Sequence, residues 1–184
     1  MTATRRMFLA VELDDETRHR LAAQVDALVG SSFLPGKPVP IPNWHVTLRF
    51  LGATGELQRD VVLGGLSEQL EGESFPIRFG GLGTFPRARR ASVLWIGVAD
   101  PTGGLMRVAS VCEDVAQSAG FPAEERPYRP HLTISRLRPA ADIESFVEAR
   151  KLSTVRMTVG AVTLYRTTSG GDGVAYEVVD RVSW

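Results

Sequence analysis

The chain has 184 residues, 21 basic against 21 acidic, and 43% of them are apolar. Such a composition excludes a disordered chain, and the nil net charge argues against wholesale coating of nucleic acid while leaving room for a local basic groove. A single cysteine, Cys112, excludes a disulfide framework or a cysteine-rich zinc site and fits a reducing compartment.

Arg5 and Arg6 precede an apolar stretch at 7–11, in the manner of a signal peptide, but the stretch stops at Glu12 and acids follow. The longest later apolar run, 91–99, is far short of a bilayer span, so a soluble cytoplasmic protein is expected. Residues 7–13 read as a short buried strand. Asp14 to Thr17 supply acids and capping chemistry for a helix near 15–29, with Leu21, Val25, Leu28 and Val29 on its apolar face. Four prolines between 35 and 42 mark a loop. A strand over 44–51 and a helix near 55–71, weakened by Gly64 and Gly65, come next. Strands at 75–79 and 92–98 flank a loop at 80–90 rich in Gly, Pro and Arg. A helix is expected over 101–119, where Cys112 reads as core. The Pro-bearing segment 122–130 leads to a strand at 131–137, a helix near 141–150, strands near 154–167 and 174–181, and a Gly-rich turn at 169–173.

This order contains a repeat. His45 and His131 are 86 residues apart, and the same offset carries the strand at 7–13 to 93–99 and the helix at 15–29 to 101–115. Ala22, Val25 and Val29 then fall on Val108, Val111 and Val115, and the strand at Phe75 falls on the segment at Ala161. The reading is one domain over 1–184, an α/β (α+β) bilobal duplication in which each lobe supplies one histidine strand.

His45-Val46-Thr47-Leu48 and His131-Leu132-Thr133-Ile134 share one pattern. On a strand, residues i and i+2 lie on one face, so each motif presents a His beside a Thr and anchors two aliphatic residues in the core. These motifs use two of only three histidines; His19 lies mid-helix between Arg18 and Arg20 and reads as a surface residue. Two imidazoles with ordinary pKa near ~6.5 can divide acid and base roles near neutrality. In-line displacement at phosphorus suits them, with the threonine hydroxyls bonding the non-bridging oxygens as charge builds. No metal-ligand spacing adjoins either motif, and 80–83 has neither the spacing nor the following helix of a nucleotide fingerprint.

With these paired motifs, the chain resembles the two-histidine (2H) phosphoesterases, and within them the bacterial and archaeal RNA 2′,3′-cyclic phosphodiesterases, long called 2′-5′ RNA ligases. The resemblance runs nearly full length, through Arg6 to Val11, Trp44 to Gly52, Phe85 to Trp95 and Tyr128 to Arg136. It implies two antiparallel sheets around a central groove with helices outside, and metal-independent, cofactor-free opening of a terminal 2′,3′-cyclic phosphate to a 2′-phosphate. By the same resemblance His45 is the proton donor to the leaving 3′ oxygen, His131 the acceptor that activates water, and Thr47 and Thr133 the phosphate ligands. Phe50 matches an aromatic near the base, Arg136 a phosphate-side arginine, and Arg129 is a further substrate-binding candidate. The implied partner is an RNA 3′ end or nucleotide bearing the cyclic phosphate, with no membrane and a monomeric chain.

Strand alternation complicates two of these roles. Phe50 and Arg136 each lie five residues past their histidine, an odd offset that turns them to the opposite face of a regular strand. Either a bulge or the strand's end re-aims them, or they are structural, Phe50 as core packing. The arginine excess, 19 against two lysines, fits coding bias and phosphate recognition equally. Some of Arg87, Arg89, Arg90, Arg126 and Arg129 are expected at the groove's rim, although surface solubility explains each equally well. Trp44 and Trp95 read as core. Two other functions remain open: 2′-5′ ligation or 2′-5′ phosphodiester cleavage by the same pair, and a nucleotide- or RNA-end-binding module without turnover.

Overall fold

The computed structural model describes residues 5–30, 32–170 and 173–184. Its elements in chain order are β1 (Arg5–Glu12), α1 (Asp15–Val29), β2 (Lys37–Pro38), β3 (His45–Thr54), α2 (Glu56–Gln69), β4 (Phe75–Phe85) and β5 (Ala91–Ala99). They continue with α3 (Gly104–Ser118), β6 (His131–Ala141), α4 (Glu144–Glu148), β7 (Val155–Val159), β8 (Ala161–Gly170) and β9 (Gly173–Ser183). Among the described residues no helix is long and apolar enough to cross a membrane. Of the Gly-rich turn expected at 169–173, residues 171 and 172 lie outside the described residues.

The strands form one antiparallel sheet in the order β7-β4-β5-β6-β3-β1-β8-β9, with β2 beside β6. The two expected sheets are thus the two four-stranded halves of a continuous one, joined where Val46 of β3 pairs Leu132 of β6. About that join the order is mirrored for the strands that the 86-residue offset relates, β6 and β3, β5 and β1, β4 and β8, while the outer strands β7 and β9 fall outside the offset. The two halves of the sequence nonetheless exchange a strand: β4 pairs β5, and β8 pairs β1. Helices follow the exchange, with α1 against β7 and α3 against β3.

Local chemistry accounts for most boundaries. The Asp14 side chain accepts from the Thr17 N–H at 2.7 Å and caps α1. Leu21 and Val25 face the core from α1, and Leu105, Val108, Cys112 and Val115 from α3. α3 starts three residues later than the repeat predicts because an intervening turn is held by Asp100, whose carboxylate accepts from the Met106 N–H. β4 runs through the expected loop at 80–83: the register shifts between Phe79 and Leu82, and Gly81 takes φ of +70°, so the glycines make a bulge inside a strand. The helix expected near 141–150 shrinks to α4 because Ala141 still pairs Ala91, which keeps the backbone in the sheet. The single strand expected near 154–167 is divided at Gly160 into β7 and β8.

One polar side chain ties the layers together. Arg49 of β3 is 8% exposed and donates to the Glu113 carboxylate on α3 and to the carbonyls of Phe50 and Pro122. Glu113 in turn accepts from the Gln117 side chain and the Glu124 N–H. Removing one member strands a poorly solvated charge. Arg49→Ala is expected to lower unfolding stability by about 3–5 kcal/mol, whereas Arg126→Ala, breaking the exposed pair with Glu124, should cost under about 1 kcal/mol. Urea denaturation of both variants checks the contrast.

Candidate active site

The join between the half-sheets builds the site. In an antiparallel pair the residues flanking a bridge face each other in reverse order, so Val46 opposite Leu132 directs His45 toward Thr133 and Thr47 toward His131. The four motif side chains therefore form a diagonal quartet with the histidines at opposite corners. Val46, Leu48, Leu132 and Ile134 are buried behind it, as the alternation requires.

Phe50 and Arg136 are re-aimed by a bulge in each strand. Leu9 pairs Arg49 and Ala10 pairs Thr47, leaving Leu48 as an extra residue in β3; Leu94 pairs Ser135 and Trp95 pairs Thr133, leaving Ile134 extra in β6. Leu48 and Arg49 both turn inward, as do Ile134 and Ser135, and the following residue returns to the histidine face. Phe50 is accordingly 55% exposed, which overturns the core-packing reading, and Arg136 is exposed. The bulges match across the repeat in a second way. Arg49 donates to the carbonyl of Pro122, before the β6 motif, and the Ser135 hydroxyl donates to that of Pro35, before the β3 motif.

Each imidazole is held by its Nδ1. That of His45 lies 2.8 Å from the Asn43 carbonyl and that of His131 2.6 Å from the Arg129 carbonyl. A carbonyl only accepts, so Nδ1 carries the proton and Nε2 is the working nitrogen in both rings. Thr47 Oγ1 is 3.0 Å from His45 Nε2 and donates to it while the ring is neutral. The backbone of Arg129 thus orients His131, while its side chain is exposed. Arg89 and Arg126, two of the rim candidates, are held by Glu144 and Glu124.

An aromatic wall, unanticipated apart from Phe50, surrounds the rings. Phe8 (4.8 Å between centroids), Tyr165 (6.0 Å) and Tyr176 (5.2 Å, edge-on) enclose His45, and Phe50 packs on Phe8 at 5.9 Å. Phe85 (4.9 Å, edge-on) and Trp95 (6.1 Å) flank His131. Trp95 is half-buried on the groove face, in contrast to Trp44, which is core as expected. The indole fits because Gly83 lies beneath it; a Cβ there would come within 2.1 Å of the ring. The alternation Leu94-Trp95-Ile96 carries the signal for this placement. Cys112 is fully buried, and burial pushes its thiol up, so it is inert packing.

Burial dominates the electrostatics. It lowers His45 to about 4, opposed by the bond to Asn43 and reinforced by the charges of Arg136 and His131. His131 is lowered from 6.5 by burial and then by Arg136, against the bond to Arg129. Arg136 therefore senses both rings, and at neutral pH the groove presents two neutral imidazoles beside its guanidinium. No group of three or more His, Cys, Asp or Glu side chains among the described residues is placed to hold a metal ion.

Comparison with known proteins bears on the family and the fold. A family model described as the 2′-5′ RNA ligase superfamily matches residues 17–171. The chain is 35% identical over 132 residues to the RNA 2′,3′-cyclic phosphodiesterase of Aeropyrum pernix, covering 70% of this chain and 72% of that protein. Identity to the protein of the same name from Aquifex aeolicus is 33% over 172 residues, covering 90% and 88%. The fold matches the crystal structure of Escherichia coli LigT complexed with 3′-AMP with a TM-score of 0.77, at 25% identity and 98% coverage of each chain.

Because the folded pKa values are depressed, the histidines add stability above 6.5 that is lost as pH falls through their folded values. Ring titration by NMR should find His45 charging near 4 in the ligand-free protein and moving upward when inorganic phosphate fills the groove. A His45 midpoint at 6.5 without ligand would contradict the burial.

Proposed function

The chain belongs to the 2′-5′ RNA ligase superfamily, and on that premise we propose that it hydrolyses terminal RNA or nucleoside 2′,3′-cyclic phosphates to 2′-phosphates. The observation that carries this reading is the diagonal His/Thr quartet at the Val46–Leu132 bridge, with each Nδ1 pinned and each Nε2 left to work.

His131 Nε2 takes a proton from water, whose oxygen attacks phosphorus. The bond from phosphorus to the 3′ oxygen breaks opposite, and His45 Nε2–H protonates that oxygen, giving a 3′-hydroxyl and a 2′-phosphate. Thr47 and Thr133 donate to the non-bridging oxygens. Thr47 is released for this task by the chemistry itself, since a protonated His45 no longer accepts its hydroxyl. Arg136 offsets the charge on phosphorus, Phe50 packs against the base, and Arg129 contributes its carbonyl to His131 and its side chain to the rim.

A proton donor lowered to about 4 needs help at neutral pH. The substrate supplies it: an anion about 4 Å away in an environment of effective dielectric ~20 favours the imidazolium by about 4 kcal/mol, roughly a thousandfold. The pH profile of kcat/KM, which reports the free enzyme, should be bell-shaped and lie on the acid side of 6.5. That of kcat should be displaced to higher pH; coincident profiles would contradict the coupling.

His45→Ala and His131→Ala should each lower turnover of a cyclic-phosphate oligonucleotide by about 10²–10⁴-fold while the fold persists by circular dichroism. Chelator should leave the wild-type rate unchanged. Near-wild-type activity in either variant would refute the assignment, and binding without turnover would favour a recognition module. Joining a 5′-hydroxyl strand is the same displacement with that hydroxyl in place of water, and would appear in the same assay as a longer 2′-5′-linked product.

A further inference from the structure

Beyond the histidine groove, the half-sheet β6-β5-β4-β7 ends in a cluster of arginines. Arg78 of β4 and Arg156 of β7 stand directly opposite each other in the antiparallel ladder. With Arg20 of α1 and Thr154 they line a depression of about 440 Å³. Like charges directly opposite on neighbouring strands are destabilising. Seven arginines, at 18, 49, 59, 89, 126, 166 and 181, each hold a carboxylate at short range, and others such as Arg136 and Arg129 border the groove without one. Among the described residues Arg78 and Arg156 pair with none, and Arg20 reaches only Glu16, at 3.5 Å. Exposed, unneutralised and facing one another, these guanidinium groups are arranged for an external anion.

The sheet relates that anion site to the groove. His131 pairs Gly97, Ala99 lies two residues further along β5 on the same face, Arg78 pairs Ala99, and Arg156 pairs Arg78. Alternation therefore puts both arginines on the face of the sheet that carries His131. At ~4.8 Å between strands and ~3.4 Å per residue, Arg78 is about 12 Å and Arg156 about 16 Å from His131, Cα to Cα. A short run of nucleotides leading away from a terminus held between the histidines spans that distance.

We propose that Arg78, Arg156 and Arg20 form a phosphate-tracking patch that holds the RNA backbone upstream of the reacting end. This rests on the cyclic-phosphodiesterase reading and extends it from chemistry to substrate class: strand ends are preferred over nucleoside 2′,3′-cyclic phosphates. Guanidinium groups bond phosphate oxygens bidentately, and such bonds position a strand without reading its sequence. A formally neutral protein thereby gains a local cationic track.

The test compares a hexanucleotide ending in a 2′,3′-cyclic phosphate with a nucleoside 2′,3′-cyclic phosphate, for wild type and for the double variant Arg78→Gln, Arg156→Gln. The wild type should show a lower KM for the hexamer. The double variant should raise that KM about tenfold with little change in kcat, and leave the nucleoside reaction within about twofold. The slope of log KM against log salt for the hexamer should fall by about 0.7 for each phosphate that the variant no longer neutralises. Equal KM and salt dependence in wild type and variant would overturn the patch, as would equal losses on both substrates. If wild type opens neither substrate, the catalytic reading fails by itself. Fluorescence anisotropy of a labelled single-stranded RNA then decides the patch: weaker binding by the variant supports it, and equal binding overturns it.

Discussion

A bulge at Leu48–Arg49 in β3, repeated at Ile134–Ser135 in β6, determines which side chains share the groove with the two histidines. Without it, Phe50 and Arg136 would point into the core, where a guanidinium facing aliphatic neighbours is prohibitively costly. With it, two consecutive residues turn inward and the next returns to the groove. The inward polar residue is useful in each case: Arg49 and Ser135 reach across to proline carbonyls in the loops that precede the opposite motif. The same irregularity therefore arms the groove and fastens the two halves of the sheet to each other's loops.

The half-sheets share a single bridge at Val46 and Leu132, yet the strand exchange makes them hard to separate. The chain crosses between them twice: β4, β5, β6 and β7 come from the contiguous segment 75–159, whereas β1 and β3 from one end of the chain meet β8 and β9 from the other. The two His-Thr motifs thus stand at the seam of a structure held together elsewhere, by helices crossing over and by the Arg49–Glu113 network. Rigid walls with a narrow seam suit in-line chemistry, which needs an acid and a base on opposite sides of one phosphorus atom. Burial of His45 among Phe8, Tyr165 and Tyr176 lowers its pKa, so under the proposed mechanism its protonation depends on a bound anion.

The His-x-Thr pairs are legible in the sequence because a strand's period of two is a local rule, and the 86-residue offset makes their equivalence visible. The α/β class and the core residues Cys112 and Trp44 follow from equally local patterns. The facing of Phe50 and Arg136 does not, since a bulge is a mismatch between two strands and is written in neither alone. Phe8 of β1 meets Tyr165 and Tyr176 of the β8-β9 hairpin from the other end of the chain, so no window of sequence joins all three. Trp95 reads as core from its strand context although Leu94-Trp95-Ile96 alternates; what frees its face is Gly83, on a strand whose preceding glycines look like a loop.

The central claim is that one histidine delivers water to phosphorus while the other releases the 3′ oxygen. Its most direct test is the product formed from a 2′,3′-cyclic-phosphate oligonucleotide in oxygen-18-labelled water. The account predicts a 2′-phosphate carrying one labelled oxygen and an unlabelled 3′-hydroxyl. A 3′-phosphate, or a 2′-phosphate without label, would contradict it.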